Sequence, residues 1–223
     1  MPWPRRRQKL EKIPNFTPTP HPISHIPYPH PPRVKTKKQV IFEEAAKLFQ
    51  EKGYSAASMR DLADRVNLKA SSLYSHIKAK EEILQKICFD NASHFTQGMD
   101  TVEKSGQSPE EKVRALLRLH LEIALDDPTS ITVFNDEWKH LEEPHLTRFL
   151  NLRRDYENRF RTIIQEGIAS GVFRSVDPTV ALFTLLSSLR WIHYWHRPSR
   201  KIDREALLRD VTAILLNGLR SGK

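Results

Sequence analysis

The sequence predicts an all-α protein, a small N-terminal three-helix domain followed by a larger C-terminal helical one. Two observations carry that class. From Lys37 onward apolar residues recur at helical spacing in one segment after another. The breaks between segments hold helix-start chemistry: Ser58, then Ser108 with Pro109, Asp126 and Asp127 with Pro128, Asp177 with Pro178, and Asp203. No convincing strand and no internal repeat interrupts the pattern. The expected divisions are residues 1–34, 35–95 and 96–223.

Residues 1–34 differ from the rest in composition. Up to Lys38 the chain holds nine Lys and Arg against Glu11 alone, 9 − 1 = +8 of a net +9, so the remainder is nearly neutral. Ten of its fifteen prolines also fall in this arm, many in PTPHPISHIPYPHPP. Their missing N–H groups and fixed φ angles block helix and sheet ladders, so an extended or disordered basic arm is expected. Such an arm attracts an anionic polymer, although solvated tails of this kind also occur with no ligand. His21, His25 and His30 lie in it without the fixed geometry a metal site needs.

A chain of 223 residues with 39% hydrophobic content is long enough to bury a core. No run approaches the ~18 apolar residues of a spanning helix, and the basic N-terminus lacks the apolar centre of a secretory leader. Cys88 is the single cysteine, so no internal disulfide can form, as suits a reducing compartment. The expectation is a cytoplasmic protein, off the membrane, in which Cys88 between Ile87 and Phe89 is a packed thiol.

Helix one begins near Lys37, with Ile41, Ala45, Leu48 and Phe49 on one face and Gly53 where a C-terminal cap belongs. In SMRD, Ser58 stands three residues before Asp61, a capping-box spacing, and Leu62, Ala63 and Val66 give helix two a short apolar face. Asn67 and Leu68 make a tight turn, asparagine being among the few residues that tolerate positive φ. The following stretch, LKASSLYSHIKAKEE, becomes helix three, pinned by Leu73 and Ile77, with Ser71, Ser72, Tyr74, Ser75 and His76 turned largely outward. Two short helices joined by a tight turn, the second presenting small hydroxyl side chains, describe a helix-turn-helix able to enter a major groove. The same pattern also fits a solvated helix in any three-helix bundle.

The motif content separates these readings. The LFxxxGY end of helix one, the hydroxyl and acid of SMRD, LYSHI and the KAKEEIL opening of helix four resemble the N-terminal domain of TetR-family transcriptional regulators over residues 40–87. The resemblance implies a DNA-binding regulator, a repressor that reads a palindromic operator as a homodimer. It places DNA contacts on Ser58, Lys69, Ala70, Ser72, Tyr74, Ser75, His76 and Lys80, with Tyr74 and Lys80 on phosphates and Ser72 and Ser75 nearer the bases. Three positions depart from the family pattern. Asn67 occupies the usual turn glycine, Ser71 a frequent glycine, and Lys69 a position where serine often caps helix three. Lysine cannot accept a hydrogen bond, so that helix end lacks a cap worth about 1 kcal/mol.

Helix four is expected from Ala79 to about Lys104. SGQSPEE then starts a fifth helix, and the segment after Pro144 carries a stripe of Leu146, Phe149, Leu152, Tyr156, Phe160, Ile163 and Ile164, terminated by Gly171. The last two helices are apolar on more than one side. Leu182, Phe183, Leu185, Leu186, Leu189 and Ile192, then Leu207, Leu208, Val211, Ile214, Leu215 and Leu219, exceed what one inward face requires. Either they form a partner-facing surface, the dimer bundle the resemblance implies, or they are buried all round within a monomer.

Trp138, Tyr156, Arg190, Trp191, Tyr194 and Trp195 mix aromatic planes with a cation and form the candidate ligand-binding set; His193 and His196 lie among them. An arginine in so apolar a helix calls for an anionic partner, either a carboxylate such as Asp136, Glu137 or Glu142 or the anion of a ligand. Residues 128–198 are similar, more narrowly, to TetR-type regulators of fatty-acid, phenylacetate or sterol-ring catabolism. That similarity implies an acyl-coenzyme A thioester as effector. The alternative is an effector-independent repressor or architectural protein, which would have a fully packed C-terminal core. No phosphate loop, nucleophile elbow, zinc motif or cofactor motif is present. The paired acids Glu142–Glu143 and Asp126–Asp127 diverge by about 100° on a helix and cannot flank one bond. An enzyme is therefore not expected, and neither a catalytic residue nor a metal is assigned. His193 and His196 have no acids or thiol to complete a set.

Overall fold

Thr36 starts the first helix by a reciprocal exchange, its hydroxyl accepting from Gln39 N at 3.2 Å while the Gln39 side chain accepts from Thr36 N at 2.8 Å. The computed structural model describes residues 35–192 and 203–221. Its helices are α1 (Lys37–Lys52), α2 (Met59–Arg65), α3 (Ala70–Tyr74), α4 (Lys80–Glu103), α5 (Pro109–Asp126), α6 (Pro128–Asp136), a 3-10 turn (Trp138–His140), α7 (His145–Ala169), α8 (Pro178–Arg190) and α9 (Arg204–Leu219). The fold is all-α. The basic arm, residues 1–34, lies outside the described residues.

The start signals behave as the local chemistry requires. Ser58 and Ser108 complete capping boxes with Asp61 and Glu111, and Asp127, Asp177 and Asp203 accept backbone N–H groups at the starts of α6, α8 and α9. Each satisfies a donor that the first turn leaves without a partner. Gly53 ends α1 at φ 80°, where a side chain would be strained, and its N–H donates to Phe49 O at 2.9 Å. Asn67 takes the turn glycine's role at φ 55°.

α3 is shorter than the sequence pattern predicts. It ends at Tyr74, although Ile77 N still donates to Leu73 O at 3.0 Å and Ile77 is fully buried. Two local features account for the difference: Lys69 supplies no side-chain cap, and the Ser75 hydroxyl bonds back to Ser72 O at 2.7 Å.

Two apolar clusters form the interior. One gathers α1, α2, α3 and the first half of α4 around Phe49, Leu73, Ile77 and Leu84, and it extends to Val133, Leu141 and Phe149. The other gathers the end of α4 with α5, α7, α8 and α9 around Met99, Leu117, Phe160 and Leu182. α4 runs unbroken through the division expected at residue 95 and serves both. Cys88 is buried on it, and that burial pushes its thiol up to about 12, as suits an inert core residue. Among the described residues no helix is long and apolar enough to cross a membrane.

Arg159 of α7 ties down the far end of α4. Its guanidinium meets Asp100 at 2.5 Å and also pairs with Glu103 and Asp155. The bond to Arg159 holds the Asp100 carboxyl below its ordinary range. A carboxylate of this kind adds stability above its unfolded pKa of about 3.9 and loses it as pH falls through the lower folded value. The stability advantage of the wild type over Arg159→Met should therefore be level at neutral pH and shrink below about pH 4, as measured by urea unfolding across pH. An advantage constant down to pH 2 would refute the linkage.

At the C-terminal end of α7, Phe173 folds back over the helix. A Cβ on Gly167 would sit 2.2 Å from its ring, and Phe173 is essentially fully buried. Glycine to alanine inside a helix is ordinarily stabilising by about 1 kcal/mol. Here the sign should reverse, with Gly167→Ala destabilising by about 1–3 kcal/mol through overpacking. Thermal unfolding decides between the two signs.

Candidate functional site

The candidate reading head is built by α2, the Asn67 turn and α3. Tyr74 is 50% exposed, and Lys69, Ala70, Ser72 and Ser75 are exposed around it, with His76 half-buried. Leu73 and Ile77, both fully buried, fix which way the helix faces. Ser58 is exposed, but its hydroxyl is occupied by the capping box, donating to Asp61 Oδ2 at 2.5 Å. Lys80 is turned inward: its Nζ donates to Tyr54 O at 2.7 Å and Ala57 O at 2.9 Å and lies 4.2 Å from the Tyr54 ring centroid. In this geometry it clamps the α1–α2 loop onto α4, whereas the family resemblance implies a phosphate contact for it. Arg60 and Lys78 were not singled out from the sequence, yet no ion pair engages them among the described residues. A count of uncommitted cations around helix three would have found them.

The second feature is a cavity of about 200 Å³, open to solvent on one side and walled by α4, α5, α6, α7 and α8. Its wall is largely aromatic. The Phe95 and His120 rings lie 4.5 Å apart, and Trp138 stacks on Phe149 at 5.9 Å. On the buried wall His120 Nε2 and Tyr156 Oη are 2.8 Å apart. Burial holds the imidazole down to about 4 and pushes the phenol up, so both are neutral near pH 7. Arg153 and Arg190 stand at the solvent-facing edge. Arg190 bonds Asp136 Oδ1 at 2.6 Å and Asn135 O at 3.0 Å, while Arg153 bonds Glu157 at 2.8 Å with its guanidinium 5.5 Å from the Trp138 ring. Of the carboxylates the sequence offered to Arg190, Asp136 is the one it meets.

Trp138, Tyr156 and Arg190 therefore come together as the sequence suggests. Trp191 does not join them: one residue past Arg190 it is rotated about 100° around the helix, 59% exposed and outside the cavity wall. Tyr194, Trp195, His193 and His196 lie outside the described residues. Phe95, His120, Phe134 and Arg153 line the cavity without having been singled out, because each reads in isolation as an ordinary helix residue. Among the described residues no group of three or more His, Cys, Asp or Glu could hold a metal.

Comparison with known proteins gives this architecture a family. Residues 41–87 match the bacterial regulatory proteins of the tetR family, and residues 106–219, more than half of the chain, match the tetracyclin repressor-like C-terminal domain. The chain belongs to the TetR family. It is thus a DNA-binding transcriptional regulator of repressor type, and not an enzyme. Among its relatives is the HTH-type transcriptional repressor KstR2 of Mycolicibacterium smegmatis, 24% identical over 85% of this chain and 93% of that protein. The ketosteroid transcriptional regulator KstR2 of Mycobacterium tuberculosis shares the fold at a TM-score of 0.79, with 21% identity over 85% of this chain and 98% of that one. AibR, solved in complex with isovaleryl coenzyme A and operator DNA, superposes at a TM-score of 0.70, with 23% identity over 83% and 98% of the two chains.

Proposed function

We propose that this TetR-family regulator represses by binding a palindromic operator as a homodimer through α3, and is released when an amphipathic anion, an acyl-coenzyme A thioester, enters the C-terminal cavity. One observation carries the release half. The helix that walls the cavity through Ala92, Phe95 and Thr96 is α4, whose first residue, Lys80, clamps the reading head. A ligand that displaces the wall displaces the head. A cavity of about 200 Å³ also argues against a fully packed, effector-independent core. The acyl group suits its aromatic wall, and the nucleotide phosphates suit Arg153 and Arg190, for which they compete with Glu157 and Asp136. The AibR complex with isovaleryl coenzyme A supports this effector class. On the DNA side Tyr74 and Lys69 are assigned to phosphates, and Ser72 and Ser75 to base edges.

The dimer is assigned to α8 and α9, whose outward faces hold Val180 and Ile214. Two recognition helices about 34 Å apart then read two half-sites. The test is reciprocal. With an operator selected from random duplexes, octanoyl- and isovaleryl-coenzyme A should weaken DNA binding by about 5- to 150-fold, and DNA should weaken thioester binding by the same factor. Thioester binding that DNA leaves unchanged would rule out the mechanism. An Arg190→Ala protein with undiminished thioester affinity would remove Arg190 from the site.

A further inference from the structure

We propose that His120 and Tyr156 are a specificity-determining pair that selects an effector bearing a neutral acceptor oxygen, a ketone or hydroxyl, at the buried end of an apolar body of about eight heavy atoms. This rests on the effector reading above and names the chemistry of the group that enters first.

The size follows from the space. A cavity of about 150 Å³ accommodates benzene, and about 200 Å³ is a third larger. A medium-chain acyl group or a single substituted ring fills it, whereas a long acyl chain does not.

The polarity follows from counting hydrogens. A neutral phenol carries one donor and a neutral imidazole carries one. The single contact of 2.8 Å between Tyr156 Oη and His120 Nε2 uses only one of the two. If Nε2–H donates to Oη, the phenol hydrogen is left over; if the phenol donates to Nε2, the remaining hydrogen is on Nδ1. Either way one donor remains on a residue lining the cavity, and among the described residues no further partner bonds either side chain. A ligand methylene placed against it would bury that donor unpaired, whereas a ketone or hydroxyl oxygen accepts from it. A carboxylate does not belong there, because one neutral donor cannot offset the desolvation of a buried charge. The anionic end belongs at the edge, where the Arg153 and Arg190 side chains are 47% and 48% exposed. The proposed order is thus a donor on the His120–Tyr156 wall, the aromatic rings beside it, and the cations at the exposed edge.

The experiment compares octanoyl-coenzyme A with 7-oxooctanoyl-coenzyme A by calorimetric titration of the full-length protein, its Tyr156→Phe form and the double variant His120→Phe/Tyr156→Phe. The double variant keeps ring volume and leaves neither partner unpaired, so the fold should survive, as circular dichroism will report. The wild type should prefer the ketone by roughly tenfold, and the double variant should lose the preference while still binding the octanoyl thioester. No preference in the wild type, or one that persists in the double variant, overturns the proposal. If neither thioester binds, the thioester reading fails, and the pair is then judged with cyclohexanone against cyclohexane by ligand-observed NMR. A ketone preference abolished by the double variant upholds the pair in that case, and equal binding refutes it.

Discussion

Truncating Phe149 to alanine should lower the unfolding free energy by about 3–5 kcal/mol, among the largest losses any single side chain here can produce. The ring is 2% exposed and stands where three elements meet. It contacts Phe89 of α4 edge-on at 6.3 Å, Phe134 of α6 at 5.6 Å, and Trp138 of the 3-10 turn in a stack at 5.9 Å. It belongs to the cluster built around α1, α2, α3 and the first half of α4 and also lines the cavity. Its neighbours are anchored on different helices, so none can collapse into the vacated volume without dragging a backbone with it. The cavity term of the cost should therefore stay near its full value. Phe149→Leu, which keeps most of the volume, should cost about 1–2 kcal/mol. Chemical denaturation at fixed protein concentration measures both, the concentration being held because association adds to apparent stability. A loss below about 1 kcal/mol for Phe149→Ala would mean that the site relaxes and that the two cores are joined elsewhere.

That junction was not legible in the sequence, although nearly every helix was. Caps are readable because cause and effect lie within three residues: Ser58 with Asp61 and Ser108 with Glu111 act without reference to the rest of the fold. α3 shows where local reading weakens, since Leu73 and Ile77 fall four apart whether or not the helix persists between them. An uncapped Lys69 and a back-bonding Ser75 decided its length. The exposed face of α3 was legible from Leu73 and Ile77, but Lys80 was placed on a phosphate by family resemblance, and the two carbonyls that hold it belong to a loop some 25 residues away. The cavity was half recoverable. Trp138, Tyr156 and Arg190 stood out as large or charged groups in apolar segments, whereas Phe95 and His120 acquire meaning only when α4, α5 and α7 bring them beside Tyr156. Periodicity says which face of a helix is buried, not which buried face borders empty space.

Changing Ile214 to glutamate should take the dimer apart while leaving each protomer folded. Ile214 is 70% exposed in the isolated chain, so its replacement removes little packing, and the folding stability of the protomer should move by no more than about 0.5 kcal/mol. The exposure is itself the argument for a partner. α9 already turns Leu207, Leu208, Leu216 and Leu219 inward, and α8 does the same with Leu182, Leu185 and Leu189, yet Ile214 and Val180 remain outside. A two-fold interface buries each residue twice. An unpaired carboxylate in such an interface costs about 3–5 kcal/mol per copy, so the two copies together should raise the dimer dissociation constant by roughly 10⁴- to 10⁷-fold. Operator affinity should then fall by 10² to 10⁴, about the avidity factor lost when two heads no longer share one chain assembly. Affinity for an isolated half-site should stay where it was. Sedimentation velocity reads the mass, circular dichroism confirms the helices, and titration of whole and half operators separates lost avidity from a damaged head. If Ile214→Glu remains a dimer of unchanged affinity, the two subunits meet on another face and α8 and α9 must be released from that assignment.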